Sequence, residues 1–489
     1  MRKALLLLSA AALVASGTAV TAQYAVRSLD PRLVAEARQE HTQVVEQYGG
    51  AETGPRAAYV DEVGHRVAAF SGVENPAGTY RFTLLNSAVE NAFSVPGGYI
   101  YITRQLMTLM DDEAELAFAL GHEVGHVAAA HAQQREQAER RAVRQQLPWI
   151  LLGGIFGGNF GNAVANRGLL RAELQTLSFS RDQEYQADDL GLRYLVAAGY
   201  NPSGGAEILG ALTRNSALQA RVQGKDSRKL PEWAMTHPLS ENRMQRAFAE
   251  AQSTGRLGTG ITNRDAFLQR IDGMFVDDDP AQGVIDGRTF LHPDLRIQFT
   301  VPVGYLMDNG TRAVDISGSA GQAQFGGGRY NGTLENYIYS ALQELLGDRR
   351  VPIPQPRRTV INGIPAAFTV TRTRTSSGVV DLAVVAYQWA PGTVYHFVTL
   401  TSGGAGLGQF ASMIQSIRKI TPSEAAAIRP RVIDVVTVAP GDTVQSLSSR
   451  MAYRDFKMER FVSLNGLSPG ARLAPGQKVK LIVYGERRS

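Results

Sequence analysis

The chain has 489 residues, 44% hydrophobic and 19% charged, enough for several large buried cores. Its formal net charge of +5 is spread along the chain; with no basic-aromatic RNA motif and no recognition-helix pattern, no nucleic-acid partner is expected. Cysteine is absent, which excludes disulfides and lipoprotein acylation, so an exported form rests on packing, with or without a metal.

The N-terminus, MRKALLLLSAAALVASGTAVTAQ, puts Arg2 and Lys3 before an apolar run over residues 4–14. Val20-Thr21-Ala22 suits signal-peptidase cleavage before Gln23, so residues 1–22 are expected to be a signal peptide. A retained membrane anchor is the alternative, although the run is short for a span. Helical spacing follows over residues 33–48 and 56–70, for example Val60, Val63 and Val67. YRFTLLN from Tyr80 and the β-branched, aromatic residues 99–103 read as strands, the second after a Pro96-Gly97-Gly98 turn.

Asp111 and Asp112 stand where helix caps are favoured, ahead of a long helix from Glu113 to Gln146, apolar first and charged later. Residues 147–166, apolar and glycine-rich, read as a loop or buried hairpin, with a membrane-touching loop as the alternative. Another helix begins near Leu177 and stops at Gly199, and more are expected from Pro202 and Ser240. From about residue 288 to 420 short strands alternate, interrupted by helical stretches at 334–346 and 408–418, which predicts a separate α+β domain. His292 and His396 are isolated there and are expected to be structural.

His122-Glu123-Val124-Gly125-His126 fits H-E-x-x-H. Two histidines four apart share one helix face and can grip one Zn²⁺, while Glu123 beside them can take a proton from water. His131, nine residues past His122, falls on the opposite face of a continuing helix and is expected to be a surface or packing residue. A catalytic zinc takes three protein ligands and keeps one position open. Glu184 in SRDQEYQADDLG is the best candidate for the third. Asp188 shares its helix face and can accept the other ring N–H of a ligating histidine.

NAFSVPGGYIYI, LGHEVGHVAAAH, SRDQEYQADDLG and THPLSENR together resemble the HtpX-like and CAAX-prenyl-protease-like gluzincin family, in its soluble exported bacterial branch. The resemblance implies a zinc endopeptidase with one Zn²⁺ per chain on His122, His126 and Glu184, Glu123 as general base, and Asp188 as partner of a ligand. It also places His237 and Arg243 near the site. His237 would stabilise the oxyanion or fill the open position in a resting state; Arg243 would stabilise negative charge or tie carboxylates in place. Substrate would lie extended along residues 91–95, with Asn91 and Ala92, or along the strand from Tyr99; a plain core strand is the alternative.

From about residue 431, strand, Gly-Asp-Thr turn, two helices and a returning strand resemble a LysM module. Its implied ligand is the N-acetylglucosamine backbone of peptidoglycan, held between Gly441-Asp442-Thr443 and the segment near Asn465. The expected architecture is multidomain. A mainly α zincin-type metallopeptidase domain with a small sheet spans 23–285, an α+β domain of unknown role 286–425, and a small βααβ LysM-like domain 430–486. The expected function is an exported zinc endopeptidase of the bacterial periplasm or cell envelope, tethered to peptidoglycan and cleaving misfolded or misassembled envelope proteins. A wall-bound chaperone or assembly scaffold with a latent metal site is the alternative, and membrane contact is a further expected possibility.

Overall fold

The computed structural model describes residues 28–134, 179–222, 233, 237, 241–347, 351–375, 378–468 and 470–486. The expected signal peptide and the glycine-rich stretch at 147–166 lie outside these residues. Helices α1 (Pro31–Gln47) and α2 (Pro55–Ala68) each open on a proline, whose fixed φ suits a first helical position. Val60, Val63 and Val67 are buried along α2, as their spacing predicts. A short turn, α3 (Pro76–Thr79), leads into β1 (Arg81–Leu85), β2 (Ala92–Val95) and β3 (Tyr99–Thr103). The sheet order is β1-β3-β2, with β1 parallel and β2 antiparallel to β3. Both edges of β3 are therefore occupied.

After α4 (Arg104–Thr108), Asp112 caps α5 (Glu113–Ala128) by accepting from Glu115 N at 3.0 Å. Every residue of α5 from Glu113 to Val127 is buried. Ser180 and Gln183 form a capping box at the start of α6 (Arg181–Ala197). Helices α7 (Gly204–Val222), α8 (Glu241–Ser253) and α9 (Arg264–Ile271) complete this part. α5 and α6 cross almost backbone to backbone. A Cβ on Gly191 would lie 3.0 Å from His122 N, and one on Gly125 would lie 3.2 Å from Ala187 O. Small residues at the crossing thus bring the histidine helix and the carboxylate helix within reach of one another.

The long helix predicted through Gln146 ends at Ala128. Ala130 turns left-handed at φ 55°, and helical backbone resumes at His131. Nothing in the alanine run announces the break.

Burial pushes the Asp112 carboxyl up to about 6, against the pull of the amides it caps. A carboxyl raised in the fold adds stability below its unfolded value of about 3.9. That contribution is lost as pH rises through about 6, a swing of roughly 3 kcal/mol at most. Asp112→Asn keeps a capping side chain and removes the swing. The variant is expected to melt above wild type at pH 8 and to lose about half of that advantage at pH 5, read by circular dichroism; an equal shift at both pH values would contradict this.

Strand β4 (Phe275–Val276) leads out of the helical part. The middle unit holds β5 (Val284–Asp286), β6 (Thr289–His292), β7 (Ile297–Thr300), β8 (Leu306–Asn309), β9 (Ala313–Gly318) and β10 (Gly321–Arg329). These are followed by α10 (Leu334–Leu346), β11 (Arg357–Ile361), β12 (Ile364–Thr375), β13 (Gly378–Ala390), β14 (Thr393–Ser402), α11 (Phe410–Ser416) and β15 (Arg418–Lys419). A seven-stranded sheet of order β11-β12-β13-β14-β10-β9-β8 carries α10 on one face; α11 and the sheet β15-β7-β6-β5 share the core on the other. This is the α+β arrangement that the alternating strands predicted.

After α12 (Pro422–Ala427) come β16 (Arg431–Thr437), α13 (Val444–Ser449), α14 (Lys457–Leu464) and β17 (Lys478–Tyr484), in the order strand, helix, helix, strand. This unit is not a free appendage. β4 adds antiparallel to β16, and one continuous core holds Phe267, Ile271 and Met274 together with Ile433, Phe461 and Leu481. Lys480, wholly buried, donates from Nζ to Thr108 O at 3.0 Å and Met110 O at 2.5 Å, at the turn before α5. The boundary expected near residue 430 separates two sequence units but not two cores.

Candidate metal centre

His122 and His126 lie one turn apart on α5, and Glu184 and Asp188 one turn apart on α6. The Nε2 atoms of the two histidines are 3.0 Å apart. Glu184 faces them, with Oε1 3.5 Å from His126 Nε2 and Oε2 3.7 Å from His122 Nε2. His237 enters from outside these helices: its Nδ1 lies 3.3 Å from His122 Nε2 and 3.0 Å from Glu184 Oε1. All four side chains are buried, and their donor atoms lie within 4.8 Å of one another.

The outer ring atoms identify what the inner ones offer. His122 Nδ1 lies 2.9 Å from Asp188 Oδ1, a carboxylate acceptor, so the proton sits on Nδ1 and Nε2 carries a lone pair. His131 Nε2 meets Gln186 Oε1 at 3.0 Å and donates to it, which leaves His131 Nδ1 to accept from His126 Nδ1 at 3.0 Å. His126 Nε2 is then a second inward lone pair. Two lone pairs and a carboxylate facing one point repel unless a cation sits between them. Donors around a tetrahedral zinc stand roughly 3.3 Å apart, and the separations of 3.0–3.7 Å fit that metal.

Electrostatics hold the carboxylates ionised. Burial would raise Glu184, but His237 and Arg243 outweigh it and keep its carboxyl well below the usual range. Arg243, itself buried, places Nη1 in an ion pair 2.6 Å from Glu184 Oε2 and donates from Nε and Nη2 to Asp188 at 2.8 and 2.7 Å. It joins the two carboxylates. Asp188 is held low because Arg243 and His122 overcome its burial. Burial, reinforced by the neighbouring His122 and His237, lowers His126 well below an ordinary histidine. Burial opposes charge on His237 too, but Glu184 and Glu123 raise its pKa above the ordinary value.

Glu123 lies beside the donors, not among them. Its Oε2 accepts from Ser94 Oγ at 2.9 Å, and its Oε1 is 3.4 Å from His237 Nε2. Ser94 belongs to β2, one of the two outer strands of the small sheet. That corrects the placement of substrate along the strand from Tyr99: β3 is paired on both sides and has no free edge. Asn91 and Ala92 are fully buried, and the Asn91 backbone N and O both bond Thr103 Oγ1. An extended chain can meet only the backbone edge of β2, not these side chains.

His131 corrects a second expectation. The helix ends before it, so it does not fall on the far face; it is buried against His126. Sequence spacing also missed Trp233, which stacks on His237 with centroids 4.3 Å apart, and Phe179, which stacks on His126 at 3.9 Å. Neither belongs to a chemical motif that would have singled it out.

In the C-terminal unit, Gly441 is exposed with φ 92°, Asp442 Oδ2 accepts from Ala439 N, and Thr443 Oγ1 caps α13 through Ser446 N. Asn465 does not suit sugar contact. It is buried; its Nδ2 donates to Phe461 O and Lys480 O, and its Oδ1 accepts from Lys480 N.

Residues 55–251 match the model of peptidase family M48, and residues 436–481 that of the LysM domain. The beta-barrel assembly-enhancing protease of Yersinia pestis is 31% identical over 229 residues, 45% of this chain and 44% of that protein. Its counterpart in Escherichia coli (strain K12) is 28% identical over 192 residues, 38% of this chain and 37% of that protein. A mitochondrial metalloendopeptidase OMA1 of Schizosaccharomyces pombe is 27% identical over 217 residues, 43% of this chain and 58% of that protein. The chain thus spans less than half the length of the first two relatives.

Proposed function

We propose that this chain, a member of peptidase family M48 through residues 55–251 and equipped with a LysM domain, is a zinc endopeptidase whose resting site is closed by His237. The convergence of His122, His126, Glu184 and His237 on one point carries the reading. Bound there, zinc supplies Lewis acidity that polarises a scissile carbonyl and makes water a better nucleophile at neutral pH. The first three side chains would hold the metal; Asp188 and His131 favour the tautomers that face it, and Arg243 keeps both carboxylates in place. Substrate lies extended along the β2 edge, which suits loose sequence preference. Ser94 orients Glu123, which takes the proton from the attacking water and passes it to the leaving amine.

A catalytic zinc keeps one position open, and with a metal bound the neutral form of His237 would offer Nδ1 as the fourth donor. His237 must move away for water and substrate to enter. A wall-bound scaffold with a permanently closed metal is the second reading, favoured by that same fourth donor. Zinc content and casein cleavage for wild type beside His237→Ala test both. One zinc in each, with several-fold faster cleavage by the variant, is the expected result. Slower cleavage by the variant would make His237 a catalytic group, and zinc in neither protein would sink the metallopeptidase reading.

The substrates are misfolded or misassembled envelope proteins, a reading supported by the beta-barrel assembly-enhancing proteases among the relatives. Location in the periplasm or cell envelope rests on the signal-like N-terminus. Attachment to peptidoglycan is supported by the LysM match; with Asn465 buried, the sugar contacts fall to the exposed Gly441 turn and its surroundings.

A further inference from the structure

The geometry points to a second peptide site, in the middle unit, where an extended segment adds to the open end of β10 and seats an apolar side chain in the cavity beside it. β9 pairs with β10 only from Gly321 to Gly326, because the turn at Gly310, Thr311 and Arg312 carries the β8–β9 hairpin away. On its other side β10 stays paired with β14 as far as Arg329. Gly327, Gly328 and Arg329 therefore present one strand edge without a neighbour among the described residues. Successive strand residues alternate their directions, so at least one N–H and one C=O of this stretch point outward, as backbone addition requires.

The glycines shape the site. Gly327, at φ 141°, lies so close to Val394 O that a Cβ would be 2.3 Å from it, so the pairing itself demands glycine. A Cβ on Gly326 would rest in ordinary contact with His396 Cε1 at 3.5 Å, and one on Gly328 meets nothing within 4 Å. Gly326, Gly327 and Gly328 bring no side chains of their own, and Tyr395 and His396 of the neighbouring β14 join them in lining the cavity. The cavity holds about 550 Å³, within the range of small-ligand pockets, and Phe290, Phe325 and Tyr337 complete its aromatic wall. That wall suits an aromatic or branched apolar side chain. Arg329, exposed at the rim, favours a carboxylate on the bound segment. The occupant is thus an extended peptide with an apolar side chain and a neighbouring acidic group. None of these residues belongs to the metal centre, so the site holds substrate-like chain independently of cleavage.

The test uses the full chain as Glu123→Gln, so that the probe stays intact. The probe is a fluorescein-labelled pentapeptide of alternating threonine and phenylalanine ending in a free carboxylate, followed by anisotropy. Binding that a zinc chelator leaves unchanged, and that Gly328→Trp weakens at least tenfold, is the expected result. Gly328→Trp fills space that is open around the glycine, and its melting temperature is checked against the parent. Should it melt early, Arg329→Ala at the exposed rim decides, with an expected several-fold loss. No binding, or binding indifferent to both substitutions, would overturn the site while leaving the metallopeptidase reading untouched.

Discussion

Glu123→Gln is expected to retain one zinc per chain and to lose casein cleavage by about three orders of magnitude, the scale of a positioned general base. The two halves of that result rest on different features. Glu123 is outside the four converging donors, so replacing its carboxylate with an amide leaves the ligand set whole. Glutamine is isosteric and still accepts from Ser94 through its amide oxygen, so the local hydrogen bond survives. What disappears is the proton acceptor. Zinc by atomic emission and cleavage of labelled casein give both halves from one preparation. Cleavage at the wild-type rate would remove Glu123 from the chemistry. Loss of zinc along with cleavage would instead mean that the carboxylate helps hold the ligand cage, and the assignment of roles would have to change.

Lys480→Met is expected to cost about 3–5 kcal/mol, the scale for breaking a buried charge cluster by removing one partner. Lys480 is fully buried and sits in the C-terminal unit, yet its ammonium serves the turn ahead of the H-E-x-x-H helix. It also lies 3.3 Å from Asp111 Oδ1. Burial depresses its pKa, with Asp111 and Glu115 pulling the other way, while burial and the acidic neighbours push Glu115 up. Methionine fills similar space but leaves two carbonyls without this donor, Glu115 without its neighbouring ammonium, and Asp111 with Arg264 alone. Against a total stability of about 5–15 kcal/mol this is a large fraction. The melting temperature should fall by on the order of 10 °C. Lys478→Met is the control: that residue is partly exposed and pairs with the exposed Asp265 at 3.2 Å, so it should move the melting point little. Equal shifts in the two variants would mean that the buried contact adds nothing special. The expected result would establish that the LysM unit is part of the scaffold carrying the metal centre, not a tether swinging from it.

Local pattern and tertiary packing divided the work between them. The valine spacing of α2, the acidic cap before α5, the Ser180 cap of α6 and the strand alternation of the middle unit are short-range signals, because helices and strands repeat with fixed periods and are capped by nearby side chains. The H-E-x-x-H spacing and the Glu184 and Asp188 pair are legible for the same reason: one helical turn is enough to put each pair on one face. The meeting of those two pairs depends on Gly121, Gly125 and Gly191 allowing two helices to touch, a contact between residues far apart in the chain. The left-handed turn at Ala130 is likewise a tertiary choice. It carries no residue preference in the alanine run, yet it moves His131 from a far face to the side of His126. The same holds for β3 becoming the central strand, for Asn465 turning inward, and for Lys480 reaching Met110. Each was decided by which buried polar groups found partners across the fold, since an unpaired polar atom in the core is costly and no local pattern states where its partner will be. From its own residues the sequence determined most of the helices and strands, the spacing of the two donor pairs and the two family modules; only the packed structure decided that His237 converges on the other three donors and that the modules share one core.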